Sequence, residues 1–163
     1  RDGPPATPAR VARAYEEWFA GYGQEPEEIL TRTFGETGGY NELILMRDIP
    51  VRSCCEHHMA PIHGVAHIAY LPRDRVVGIS KLARLVDAFG KRLQIQERLT
   101  AEIADALERV LQPQGVAVII EATHECMASR GVSKQGATLV TRRFSGVFEQ
   151  TDRRREVLEA LKA

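Results

Sequence analysis

Apolar positions along the chain recur with two different periods, and these periods predict its helices and strands. Near the N-terminus the apolar residues step by four, three, one and three positions, which describes one face of a helix. Thr7 and Pro8 supply an N-cap hydroxyl followed by a proline at the first helical position, and Gly21 and Gly23 mark the end. The face comprises Val11, Tyr15, Trp18, Phe19 and Tyr22.

The middle of the chain predicts two strands and then two helices. A turn-rich segment at 34–40 precedes strands at 42–46 and 65–71, which are rich in β-branched and aromatic residues. Helical periodicity follows, and Pro113 and Gly115 end it. The two apolar stripes are Leu82, Leu85, Val86, Phe89 and Leu93, and then Ile95, Leu99, Ile103, Leu107 and Val110.

Two further strands, at 116–120 and 137–148, and a short charged helix at 152–161 complete the pattern. The order of helix, two strands, two helices, two strands and helix favours an α+β fold with an antiparallel four-stranded sheet. The length of the chain, residues 1–163, predicts a single domain. A four-stranded sheet leaves two unpaired edges, which association of several chains could cover.

Composition narrows the functional classes. The 22 Lys and Arg balance the 22 Asp and Glu, so a local cluster of bases must hold any anionic ligand. The neutral charge, without a basic stripe and interleaved aromatics, argues against a nucleic-acid partner. No apolar run approaches the roughly 20 residues that cross a bilayer, so we expect no membrane partner. The three cysteines, two of them adjacent, suit a reducing, cytoplasmic compartment better than a disulfide framework.

Two clusters of cysteine and histidine carry the candidate chemistry. Cys54-Cys55-Glu56-His57-His58 and His124-Glu125-Cys126 contain all three cysteines and three of the five histidines. Thiolate and imidazole at C-x-x-H spacing suit tetrahedral zinc, and a remote cysteine can complete such a site from a neighbouring strand. The candidate ligands are Cys55, His58 and Cys126.

Two other interpretations of these clusters remain open. A structural zinc site would use a fourth side chain, from Cys54, His57 or His124. Alternatively, Cys126 is a small buried apolar residue, as free cysteines often are, although this leaves the paired histidines unexplained.

A second group of residues suits an anion. In the segment 78–84, Ser80 is the predicted helix N-cap, and Lys81 and Arg84 lie three positions apart on one helix face. Cations at a helix N-terminus oppose the macrodipole, so a negative ligand, above all phosphate, is expected there. Arg130 and Arg10 are further candidates. The alternative for all four bases is ordinary surface solvation.

The segment Gln96-Glu97-Arg98 opens the long helix. A carboxylate in a first turn usually interacts with the helix dipole. Glu97 could instead accept from a paired N–H edge such as that of guanine.

These segments together resemble the GTP cyclohydrolase I family, and the resemblance runs from about Thr7 to Leu161. The match is collinear along the chain. The matching stretches are Cys55-Glu-His-His-Met59, Gly78-Ile-Ser-Lys-Leu-Ala-Arg-Leu-Val86, Leu93-Gln-Ile-Gln-Glu-Arg-Leu-Thr100, Gln112-Pro-Gln-Gly-Val116, Glu121-Ala-Thr-His-Glu-Cys126, Arg130-Gly131 and Gly146-Val-Phe148.

The resemblance implies the tunnelling fold, in which sheets of several subunits form a barrel and two pentamers stack as a homodecamer with active sites at subunit junctions. It implies GTP as substrate and Zn²⁺ on Cys55, His58 and Cys126. The remaining implied roles are guanine binding by Glu97 with Gln96 beside it, triphosphate binding by Lys81, Arg84, Arg130 and Arg10, catalysis by His57 and His124, and a ribose-side hydroxyl from Ser80.

The implied reaction opens the imidazole ring of GTP, releases C8 as formate and closes the rearranged product to 7,8-dihydroneopterin triphosphate. The two hydrolyses suit a zinc site with histidines beside it. The later rearrangement is implied by the resemblance alone.

The chain departs from the family pattern at a few positions. Glu125 replaces a more usual apolar or aromatic residue, Arg142-Arg143 replaces small hydroxyl residues, and Cys54 is an additional thiol. The family's N-terminal helical extension is not seen, and the first residue, Arg1, suggests trimming.

Three functions are alternatives to that of a GTP cyclohydrolase. The first is a nitrile reductase of the same fold that acts on a queuosine precursor with a cysteine nucleophile and NADPH. The others are a non-catalytic zinc-binding module and an inactive regulatory subunit.

Overall fold

Long antiparallel strands form the centre of the computed structural model, which describes residues 4–35 and 38–162. Residues 36 and 37 of the predicted turn-rich segment lie outside these ranges. The helices are α1 (Thr7–Trp18), α2 (Pro26–Ile29), α3 (Ile79–Gly90), α4 (Gln96–Leu111), α5 (Glu125–Ala128) and α6 (Thr151–Ala160). The strands are β1 (Thr33–Phe34), β2 (Ile44–Cys55), β3 (Pro61–Leu71), β4 (Val76–Val77), β5 (Leu93–Gln94), β6 (Gly115–His124) and β7 (Leu139–Gly146).

Within the described residues, five strands form one sheet in the order β5-β2-β3-β6-β7, and β1 pairs separately with β4. The four long strands are antiparallel, as predicted. The predicted four-stranded sheet was nevertheless wrong in strand number and direction, because β5 adds a fifth strand parallel to β2. A strand of two residues is too short to show a period of two. The α+β class is confirmed.

The predicted strand at 42–46 was too short, because a bulge in β2 interrupts the alternation on which the prediction depends. The register shifts between Met46 and Ile49, and Asp48 adopts a positive φ of 56°. An extra residue in one strand reverses the faces of the following side chains, so no single alternating pattern covers the whole strand. As a result, Cys54 and Cys55 lie on a strand.

Both predicted N-caps were wrong. Ala6 and Gly78 are the capping residues of α1 and α3, whereas Thr7 is the first residue of α1 and Ser80 is the second residue of α3. The extended backbone of β4 ends at Val77 and continues through Gly78, so the chain enters α3 before it reaches the serine hydroxyl.

The main core lies between one face of the sheet and helices α3 and α4. Alternate residues of β3 and β6, such as Ile68 and Val118, contribute to this core, while a smaller cluster beneath α6 includes Phe148. Helix α1 buries none of its residues, and Trp18 remains 59% exposed. The predicted apolar face of this helix is therefore uncovered in the single chain.

The structure agrees with the other predicted elements in outline. Helix α1 ends at Trp18, and a 3-10 turn continues to Gly23. Helix α6 corresponds to the predicted charged helix. Across the described ranges, no helix combines the length and apolarity that a bilayer span requires.

Candidate functional site

The sheet register brings the two cysteine and histidine clusters to one end of the fold. Strand β2 ends at Cys55, and β3 begins after a short turn with Cys54 opposite Pro61. The next pairing sets Ile62 opposite His124 at the end of β6, and α5 follows directly with Cys126. Clusters about 70 residues apart in the chain thus converge around the first residues of β3.

The turn after β2 places His58 beside Cys55. The amide of Met59 donates to the carbonyl oxygen of Cys55 at 2.8 Å, and the amide of Cys55 donates to that of Ala60 at 2.8 Å. Met59 adopts a positive φ of 50°, which lets the chain reverse here. We call this segment, residues 55–60, the metal turn.

Three side chains meet at this turn with spacing that fits a metal ion. The ligand atoms of Cys55, His58 and Cys126 all lie within 4.8 Å of one another, and Cys55 Sγ is 3.8 Å from His58 Nδ1. Tetrahedral zinc with bonds of about 2.0–2.3 Å places adjacent ligand atoms about 3.5–3.8 Å apart. The prediction that these three residues come together is confirmed.

The surroundings of Cys126 keep its thiol protonated more strongly than usual. Burial, together with a hydrogen bond to Cys55, raises the pKa of the Cys126 thiol, whereas the charge of Arg130 opposes the shift. A metal ion bound here would hold its cysteine ligands as thiolates and so counter the raised pKa of Cys126. Nitrogen and sulfur donors in a set of three fit zinc in particular.

The proposed fourth ligands differ in their surroundings. Cys54 lines a cavity of about 330 Å³ with Trp18 and Met59, and burial raises the pKa of its thiol. His57 Nδ1 lies 3.8 Å from Cys55 Sγ. His124 Nε2 is 2.9 Å from Gln96 Oε1. Among the described residues, the potential metal group comprises three side chains and includes none of these candidates.

His124 lies between the metal group and the start of α4. Burial lowers the pKa of His124, and the negative charge of Glu97 partly offsets that effect. Glu97 is exposed in the first turn of α4, so its carboxylate is accessible to a ligand. This end of the sheet therefore combines a metal group, a half-buried imidazole and an exposed carboxylate.

One chain brings only part of the predicted phosphate-binding set to the metal group, since Arg130 is close enough for its charge to act on Cys126. Ser80, Lys81 and Arg84 lie near the beginning of α3, whereas Gly90 at its end approaches the backbone of Arg52, three residues before Cys55. The 12 residues of α3 make it about 18 Å long, so its two ends are well separated. Arg10 is exposed on α1.

Two residues that connect the metal turn to β5 and α4, Gln94 and Arg98, were not predicted from the sequence. Gln94 is only 2% exposed, and its amide donates to Phe89 O at 3.0 Å and to Glu102 Oε2 at 2.8 Å. Arg98 joins Gln94 to Glu56 of the metal turn. A glutamine beside apolar helical positions was the available signal. Its own partners lie within 8 residues of it, but the link from Arg98 to Glu56 spans 42 residues, which no local pattern indicates.

The fold and the metal group define a candidate metal-dependent enzyme, and comparisons with known proteins agree. Residues 1–162 match the family model described as GTP cyclohydrolase I, and the chain belongs to this family. It is 59% identical over 149 residues to "GTP cyclohydrolase 1" of Brucella anthropi, which covers 91% of the chain and 70% of the relative. The Brucella canis protein of the same name is 55% identical over 150 residues, covering 92% and 70%.

A solved structure shows the same kind of fold in a more distant protein. The archaeosine synthase QueF-Like in its apo form superposes with a TM-score of 0.55 at 18% identity, covering 66% of this chain and 96% of that one. At this identity the likeness concerns the fold alone. The family match and the similar relatives confirm the predicted family and the predicted GTP cyclohydrolase function.

Proposed function

We propose that the protein is a zinc-dependent GTP cyclohydrolase I that opens the imidazole ring of GTP, releases C8 as formate and forms 7,8-dihydroneopterin triphosphate. The observation that carries this proposal is the convergence of Cys55, His58 and Cys126 in a chain of this family. Three protein ligands are typical of catalytic zinc, whereas structural zinc usually has four. A zinc ion held there would supply the Lewis acidity that activates water for hydrolysis.

His124 and His57 are the proposed proton carriers. An imidazole can donate and accept a proton near neutral pH, as ring opening and formate release both require. His124 is half-buried beside the metal group, so it is well placed to protonate the purine ring. His57 is exposed on the metal turn and can exchange its proton with solvent.

Glu97 is the proposed guanine-binding residue. Its exposed carboxylate can accept two hydrogen bonds from the N–H edge of guanine, whereas adenine does not offer the same pair of donors. Its charge also influences His124, so a base held by Glu97 would lie next to that imidazole.

Lys81, Arg84, Arg130 and Arg10 are the proposed triphosphate ligands, and Ser80 the ribose-side hydroxyl. Because α3 separates its first residues from the metal group of the same chain, we propose that a neighbouring subunit completes each site. A decamer of two pentamers, with single-domain chains whose sheets join into a barrel, would satisfy this requirement. The free cysteines suit a reducing compartment such as the cytoplasm.

The decisive experiment is incubation of the purified protein with GTP, with and without a chelator. Formate release and pterin fluorescence should appear together, stop after chelation and return with added Zn²⁺. ATP serves as the control nucleotide and should release no formate. Zinc binding without formate release would instead support a non-catalytic module.

A further inference from the structure

A buried hydrogen-bond network fixes the side chain of Gln96, the first residue of α4. Gln96 is 1% exposed, and its Nε2 lies 3.0 Å from the Ile120 carbonyl oxygen, 3.0 Å from that of Leu139 and 3.1 Å from Thr141 Oγ1. Its Oε1 lies 2.9 Å from His124 Nε2. One amide thus connects α4 to β6, β7 and the histidine.

The chemistry of these partners determines which way the amide points. Carbonyl oxygens only accept, so the group that faces Ile120 and Leu139 must be the NH₂. A flipped amide would place its oxygen against both carbonyl oxygens and lose both hydrogen bonds. The oxygen of Gln96 therefore faces His124 and can only accept there.

The neighbouring hydroxyls are consistent with this orientation. Thr100 Oγ1 donates to the backbone oxygen of Gln96 at 2.8 Å, which uses its one hydrogen. The 2.6 Å contact between Thr100 and Thr141 then has Thr141 as donor. The two hydrogens of the Gln96 amide serve the two carbonyl oxygens, and the Thr141 oxygen, 3.1 Å from the amide nitrogen, can only share one of them.

We infer that Gln96 is a positioning residue that holds His124 as the Nε2–H tautomer and leaves Nδ1 as the atom that exchanges a proton with the substrate. This inference rests on the proposed function for its catalytic consequence, but the tautomer itself does not. It also separates the roles of two adjacent residues. Glu97 is exposed and is the proposed guanine ligand. Gln96, which the family resemblance sets beside it at the guanine, is enclosed and acts through His124.

The fixed tautomer matters because a neutral imidazole has two forms that present opposite proton patterns. Without an acceptor at Nε2, the ring can rotate or change tautomer, and only a fraction of molecules would present the reactive nitrogen correctly. Loss of a partner that orients a metal ligand costs about 10–100-fold in affinity or activity, and we expect a loss of similar size for an orienting partner of His124.

The first test is nitrogen-15 NMR of zinc-loaded protein labelled at histidine, with the His124 signals assigned by their loss in His124→Ala. The wild type should show a protonated Nε2 and an unprotonated Nδ1 when His124 is neutral. A neutral His124 protonated at Nδ1 would overturn the inference, whether or not the protein hydrolyses GTP.

The second test uses Gln96→Met with Thr141→Val as its matched control. Gln96→Met should lower kcat by about 10–100-fold while leaving KM for GTP nearly unchanged. Thr141→Val disturbs the same buried network but leaves the contact with His124, so its kcat should stay near that of the wild type. A large rise in KM with unchanged kcat would instead make Gln96 a substrate ligand.

A double variant separates positioning from general destabilisation. If Gln96 acts through His124, Gln96→Met should cause no further loss of kcat in a His124→Ala protein. Equal losses in both backgrounds would contradict the inference. Absence of turnover in the wild type would refute the proposed function but leave the NMR result standing.

Discussion

Arg98 and Glu56 form an ion pair that joins the first turns of α4 to the metal turn. The same guanidinium donates to Gln94 Oε1 at 3.0 Å and to the Leu93 carbonyl oxygen at 3.0 Å. The hydrogen bond with Glu56 raises the pKa of Arg98, so its charge is retained. Arg98 therefore connects β5 and α4 to the side chain of Glu56, the residue after Cys55.

Arg98→Ala should weaken zinc binding because the metal turn loses this connection. We expect the dissociation constant to rise by about tenfold, as for other residues that support metal ligands. Chelator competition measures the change. Arg109→Ala is the matched control, because Arg109 forms a similar exposed ion pair with Glu27. Equal affinities in the two variants would contradict the prediction.

Cys126→Ser should abolish stoichiometric zinc binding and formate production, because serine is a poor zinc ligand at neutral pH. Metal analysis of the purified variant and the formate assay measure these losses. Cys54→Ser is the control, since Cys54 is a thiol beside Cys55 but outside the metal group. A zinc-free Cys126→Ser protein with full activity would refute the ligand assignment.

Glu97→Ala should reduce the preference for GTP over ATP. Two hydrogen bonds to a charged acceptor would be lost, which corresponds to about a 100-fold loss in relative kcat/KM. Competition between the two nucleotides measures it. Glu108→Ala, another exposed carboxylate on α4, should keep the preference. Unchanged discrimination in Glu97→Ala would leave Glu97 with a helix-dipole role only.

Mixing two inactive variants tests whether neighbouring chains share each site. Lys81→Glu removes a proposed phosphate ligand, and Cys126→Ser removes the metal. If each site takes these residues from different subunits, random assembly of equal amounts should restore about a quarter of the sites. Formate release by the co-refolded mixture measures this recovery. No recovery in assembled mixtures would place both residues within one chain's site.

Ser145→Ala should stabilise the protein. Among the described residues, Ser145 Oγ is a buried side-chain atom without a hydrogen-bond partner, and removing such a group avoids its desolvation cost. A gain of about 1 kcal/mol would raise Tm by about 2–4 °C. Thr100→Val, which removes a bonded buried hydroxyl, should lower Tm in the same calorimetric comparison. A lower Tm for Ser145→Ala would contradict this account.

Sequence patterns predicted the features that repeat or that use rare residue types. The stripes of α3 and α4 have a period that burial on one face requires. Cys55, His58 and Cys126 could be selected because thiols and imidazoles at this spacing have few structural uses. The resemblance to the family added the overall reaction.

Features that depend on contacts between distant residues were not predictable in this way. The two-residue strand β5 exists because Leu93 and Gln94 lie alongside Cys54 and Cys55, which no local pattern indicates. The bulge at Asp48 concealed most of β2. The partners of Gln96 come from β6 and β7, so its sequence position beside Glu97 gave no indication of burial.

Strand β5 also has a consequence for how such a protein can change. The backbone of β5 pairs with the last residues of β2, and the Glu56 amide donates to the Gln94 carbonyl oxygen at 3.0 Å. Strand β5, which links α3 to α4, therefore also pairs with the backbone that carries the proposed metal ligand Cys55. Substitutions that shift α3 or α4 during evolution would therefore also shift the metal turn. The packing of these helices and the metal chemistry consequently evolve together.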